Sequence, residues 1–134
     1  MPTPRQIIAD QFIADHTPAK DYAVYPWMYS PTTDLRKPAI AVYRTEVTDH
    51  PTDPKQIRHS INIDAYVGKT QGEAVEDDSD DLLDDIMMSL QRIDGVFGIT
   101  AKRSVFKDAF HGWAITCTAD SPNVYKSAVL DERS

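Results

Sequence analysis

The sequence predicts an α+β fold in which a largely antiparallel sheet of four to five strands carries two helices packed on it. Three observations lead there. Two segments space their apolar residues at the helical period, later segments alternate apolar and polar residues at period two, and polar loops join those strands in pairs. Strands joined in such pairs run antiparallel, and an amphipathic helix beside a half-buried sheet covers its apolar face. The expected order is helix, optional edge strand, two strands, helix, two strands. A chain of 134 residues supports one core. We therefore expect a single domain over residues 1–120 and a C-terminal extension over 121–134, ordered by neighbouring subunits.

The first helix is expected over residues 3–16, where Ile7, Ile8, Phe12 and Ile13 recur at helical spacing and Pro4 suits the first turn. Thr17-Pro18 ends it, because the residue before a proline is driven out of the helical region. Residues 21–37 hold Tyr22, Tyr25, Trp27 and Tyr29 among Pro26 and Pro31, the composition of an edge strand followed by a long loop. Tyr25, Trp27 and Tyr29 are candidate subunit contacts, joined by Tyr125 near the end of the chain. A strand over 38–47 precedes the clearest one, over 57–67. There Ile57, His59, Ile61, Ile63, Ala65 and Val67 share one face, and Arg58, Ser60, Asn62, Asp64 and Tyr66 share the other. Residues 48–55 between them are polar, contain Pro51 and Pro54, and predict an exposed hairpin loop.

A long helix is expected over 72–93, with Val75, Leu82, Leu83, Ile86, Met87, Leu90 and Ile93 as its apolar stripe and Asp94-Gly95 as its stop. Strands over 96–106 and 112–119 follow. In the second, Trp113, Ile115, Cys117 and Ala119 alternate with Ala114, Thr116 and Thr118.

Composition narrows the function classes. A formal net charge of -7 argues against a general nucleic-acid binder, which needs clustered Lys and Arg for phosphates. Eight acids lie within residues 73–85 without a base, while the other 13 acids face 14 Lys and Arg, so the acidity belongs to one element. No apolar run approaches the roughly 20 residues that span a bilayer, and none resembles a secretory signal, so we expect no membrane segment and synthesis in a cytoplasm. The single cysteine, Cys117, gives no internal disulfide and reads as a small apolar residue of a buried strand.

Asp77, Asp78, Asp80 and Asp81 invite a Ca²⁺ or Mg²⁺ reading, but their spacing lacks the alternation, central glycine and closing glutamate of a calcium loop. A solvated helix face explains them, with Glu73, Glu76, Asp77, Asp80, Asp81 and Asp84 as its members. His16, His50, His59 and His111 are dispersed and carry no metal-ligand spacing. A Ser-His-Asp set can be picked from the chain, yet no Gly-x-Ser-x-Gly elbow is present, and Gly95-Val96-Phe97-Gly98 lacks the spacing and lysine of a phosphate loop. Lys102, Arg103 and Lys107 form a small basic patch, either a solvated edge or the partner of an acidic surface on another subunit.

Three stretches together resemble a known family. The strand Ile57-Arg58-His59-Ser60-Ile61-Asn62-Ile63-Asp64-Ala65-Tyr66-Val67 is followed by the acidic helix from Glu73-Ala74-Val75-Glu76-Asp77 to Asp81-Leu82-Leu83-Asp84-Asp85-Ile86, then by the hairpin ending Phe110-His111-Gly112-Trp113-Ala114-Ile115-Thr116-Cys117. This pattern is similar to the tail terminator proteins of siphovirus-type, long-tailed bacteriophages. It covers residues 38–119 and contains no invariant catalytic motif. Head-completion and neck connector proteins of such phages share similar folds and are the nearest alternative.

The resemblance implies a structural virion protein, assembled in the host cytoplasm and placed at the head–tail junction. It implies a homo-hexameric ring that caps the tail tube, stops its polymerisation and meets the head–tail connector protein. DNA would pass through without specific binding, and neither cofactor, metal, membrane nor reaction would be involved. In such a ring we expect the acidic face to line the channel; pointing outward, it would be only a soluble surface. Two other classes compete. A metal-dependent nuclease would need acids converging from separate elements beside basic phosphate contacts, and an adaptor would bind a peptide at an exposed sheet edge.

Overall fold

Thr3 starts the first helix by a reciprocal cap: its hydroxyl accepts the Gln6 N–H at 3.3 Å, while its own N–H donates to Gln6 Oε1 at 2.8 Å. With Pro4 in the first turn, helix α1 runs over Pro4–Ala14. It buries Pro4, Ile8, Ala9 and Phe12, whereas Ile7 and Ile13, expected on the same stripe, are 43% and 53% exposed. The helix meets the sheet along a narrow line of residues one turn apart, which excludes the positions flanking it.

The computed structural model describes residues 3–15, 22–29, 38–68, 73–106, 110–126 and 129, with side chains of the segment starting at 73 described from Glu76 onward. After α1 come strands β1 (Ala23–Tyr25), β2 (Ala39–Asp49) and β3 (Gln56–Gly68), helix α2 (Glu73–Gln91), and strands β4 (Val96–Phe106) and β5 (Phe110–Pro122). Their order in the sheet is β1-β2-β3-β5-β4. β2–β3, β3–β5 and β5–β4 pair antiparallel, while the three-residue edge strand β1 pairs parallel to β2. The fold is thus α+β, with a five-stranded, mostly antiparallel open sheet. Gly95, at φ +87°, makes the tight turn out of α2 into β4.

A third helical segment departs from the expected two. Residues 124–126 and 129 are helical, and β5 extends to Pro122, beyond the expected end at 119. Asn123 explains both. Its Oδ1 accepts the Lys126 N–H at 3.1 Å, as an N-cap does, and its own N–H reaches the Lys55 carbonyl at 2.8 Å.

One face of the sheet holds the main core. Ile40, Val42, Ile61, Ile63, Ala65, Ile115 and Cys117 meet Ile8 and Phe12 of α1 and Leu82, Ile86 and Leu90 of α2. Leu83, Ile86, Met87 and Leu90 of the predicted helix stripe share this core with Ile61, Ile63, Trp113 and Ile115 of the predicted strand faces, with Leu83, Met87 and Trp113 only partly buried. Trp113 also donates its indole N–H to the Ser79 carbonyl at 3.1 Å, tying β5 to α2. Val75's side chain lies outside the described residues.

The opposite face is not simply solvated, as the alternation in β3 suggested. Tyr66 is 3% exposed and clusters with Ala39, Ala41 and Phe110, flanked by Tyr25, Tyr29, Tyr43 and Phe106. Gly112 permits this closeness: a Cβ there would lie 1.7 Å from the Ala65 carbonyl oxygen.

Candidate functional site

The acids of α2 stand opposite its buried face. Leu82, Ile86 and Leu90 are at most 4% exposed, and Glu76, Asp77, Asp80, Asp81 and Asp84 are all exposed. Glu73's side chain lies outside the described residues. Glu76 accepts both terminal nitrogens of Arg103 at 2.9 Å, and that guanidinium sits 5.9 Å from the Trp113 ring centroid. Arg103, read from the sequence as a solvated edge or an intersubunit partner, is therefore engaged within its own chain. Lys107 lies outside the described residues. Among the described residues no three His, Cys, Asp or Glu side chains converge to hold a metal ion, and no helix is long and apolar enough to cross a membrane.

The aromatic candidates separate into two kinds. Tyr25 and Tyr29 stack at 3.9 Å between centroids, and the Tyr29 carbonyl accepts the Tyr66 hydroxyl at 2.8 Å, so both belong to the second cluster. Trp27 and Tyr125 instead stand 55% and 53% exposed. The Trp27 segment is anchored by Arg5, whose guanidinium donates to the Pro26 carbonyl. Beside the cluster, Tyr43 donates to the Asp64 carboxylate at 2.7 Å. Burial raises the Asp64 carboxyl, and burial with that hydrogen bond pushes the Tyr43 phenol up to about 12. Residues 30–37 of the predicted contact loop lie outside the described residues.

The most enzyme-like geometry is elsewhere, at the end of the sheet where β3 begins and β5 finishes. His59, 4% exposed, places Nε2 2.7 Å from Ser121 Oγ at the wall of a groove of about 340 Å³. A serine nucleophile needs that nitrogen as proton acceptor, with Nδ1–H directed at a carboxylate. Here Nδ1 faces the Arg44 guanidinium at 3.4 Å, a donor with no lone pair. Nδ1 must accept, so the proton resides on Nε2 and points at Ser121. Burial, then the Arg44 charge, holds the His59 pKa below its ordinary value, while Asp120 acts weakly the other way. With Nδ1 turned to Arg44, the pair has nucleophile-base spacing but not the carboxylate-oriented tautomer that a serine nucleophile needs.

Next to it, Asp120 joins the 50–55 loop to the sheet. Arg58 reaches its two carboxylate oxygens at 2.9 and 3.1 Å, which holds the Asp120 carboxyl below its usual range, and His50 Nε2 lies 3.4 Å away. His50 Nδ1 accepts the N–H groups of Thr52 and Asp53 at 3.1 and 2.9 Å, folding the loop upon itself. Buried Cys117, its thiol pushed up to about 11 by burial, offers no reactive thiolate at neutral pH.

Exposed apolar side chains missed by periodicity are Phe97 at 42% and Val105 at 53%, while Met28 at 71% and Val124 at 50% lie in segments expected to meet neighbouring copies. The signal that could have found them was position: these residues flank edge strands and the C-terminal turn. No protein-family model matches the chain, and no curated protein matches it.

Proposed function

We propose that this chain is the tail terminator of a long-tailed bacteriophage, one subunit of a hexameric ring that caps the tail tube and joins it to the head–tail connector. The observation that carries the proposal is the exposure of Trp27, Met28, Val105 and Tyr125, each more than half exposed. Of these, Trp27 and Met28 are consecutive and form one exposed apolar patch, the kind of surface that burial between copies covers. The order of two helices and five strands is the frame of the ring subunit in this reading, and the turn after Asn123 is an added contact element. The resemblance over residues 38–119 supplies the ring's place at the head–tail junction of the virion.

Within the ring the exposed acids of α2 line the channel and repel DNA phosphates, so the genome passes without binding. No cofactor, metal or reaction enters this function. The experiment is to add purified protein to polymerising tail-tube protein from the same phage genome and measure tube lengths by electron microscopy. Growth should stop, with a ring at one tube end. Continued growth with rings found only on the head portal would reject the terminator in favour of a neck protein, and no binding to either would reject both.

A further inference from the structure

The two edges of the sheet are unlike, and both are open among the described residues. At one edge β1 covers only Ala39–Ala41 of β2, leaving the outer side of β1 and the rest of β2 without a strand partner. At the other, β4 pairs with β5 alone. An open edge presents a row of backbone N–H and C=O groups able to continue the ladder. Edges are commonly blunted by being short, as β1 is, but β4 has 11 residues. Its irregularity lies between Phe97 and Thr100, so residues 100–106 form a regular stretch.

Strand polarity lets one edge receive the other. β1, β2 and β5 run in one direction, and β3 and β4 in the opposite one. Laid beside β1 of another copy, β4 continues the sheet as an antiparallel pair with no reversal of either molecule. Registers agree as well. Followed across the sheet, Thr100 is level with Tyr43, Lys102 with Ala41 and Tyr25, and Ser104 with Ala39 and Ala23. The regular part of one edge thus matches the height of β1 at the other.

Side chains add complementarity. Trp27 and Met28 project just beyond β1, and Val105 is exposed on β4. We infer that copies of this chain join head to tail, the β4 edge of one pairing with the β1–β2 edge of the next, with Trp27 and Met28 closing over the joint. Unlike edges make the contact heterologous, the kind that closes into a ring when the rotation permits. The inference rests on the ring reading and names its joint.

The test uses two variants of the full chain, each altered at exposed positions: Val105→Lys with Lys102→Glu on one edge, and Trp27→Ser with Met28→Lys on the other. Circular dichroism and thermal melts establish that both remain folded, and sedimentation velocity reads assembly. Each variant alone should lose association at least tenfold, while an equimolar mixture, with one intact edge on each partner, should give one-to-one dimers and nothing larger. As a second measurement, oxidation of a Ser104→Cys chain mixed with an Ala23→Cys chain, positions level with each other across the joint, should cross-link the two kinds together, Cys117 being buried. If wild type and both variants form the same rings, the edge joint is wrong and the ring stands. A mixture that stays monomeric and does not cross-link, beside a wild type that assembles, also overturns the joint. A wild type that is monomeric throughout overturns the joint and the ring together.

Discussion

Replacing Ile86 with alanine tests how α2 is seated on the sheet. Ile86 is fully buried and shares a cluster with Leu82, Leu90, Ile63 and Ile115. The substitution removes three carbons, worth about 2.4 kcal/mol of transfer at roughly 0.8 kcal/mol per methylene. A cavity between a helix and a sheet closes only partly, so the total should reach about 3–4 kcal/mol. Unfolding entropy near 2.1 cal/mol/K per residue is about 280 cal/mol/K for this chain, which converts that loss to a fall in Tm of about 11–14 °C. Met88, two residues on and 57% exposed, is the control. Met88→Ala should stay within about 0.5 kcal/mol of wild type. Urea denaturation at constant m and thermal melts supply the measurement. Equal effects of the two substitutions, or a cost for Ile86→Ala below about 1 kcal/mol, would refute the packing.

Two further outcomes concern buried polar groups. His59 has a folded pKa below its unfolded value of about 6.5, so the folded state favours the neutral ring; its contribution is complete above pH 6.5 and is lost as pH falls through the folded pKa. The urea midpoint should therefore drop between pH 7 and 5, and Arg44→Gln should shrink that drop by removing one of the two causes of the depression; a His59 ring titrating at its ordinary value by NMR would contradict this. Ser79 Oγ is fully buried with no hydrogen-bond partner among the described residues, so Ser79→Ala should be neutral or stabilise by up to about 2 kcal/mol, and a loss above about 1 kcal/mol would show that the hydroxyl is satisfied.

What was legible in the sequence was local. The alternation through Ile57, His59, Ile61 and Ile63 specified the buried face of β3, and the spacing of Leu82, Ile86 and Leu90 specified the seat of α2, because each pattern repeats within one element. Features made by distant partners were hidden. Tyr66 is buried by Tyr29 and Phe106, which lie 37 residues before it and 40 after it. His59 and Ser121, 62 residues apart, meet only because β3 pairs with β5. Arg103 could be seen as a base but not as the partner of Glu76, since pairing depends on how α2 crosses the sheet. The turn at Asn123 was not foreseen, since residues 121–134 were read only as an extension, whereas the asparagine side chain caps a new helical turn.

The central claim, that this chain is a ring subunit, is tested most directly by native mass spectrometry of the full-length protein across a concentration series, alone and bound to tail-tube ends. The account predicts a discrete species of six copies, built from 15.1 kDa subunits, enriched on capped tubes. A 15.1 kDa monomer at every concentration and on every tube would contradict it.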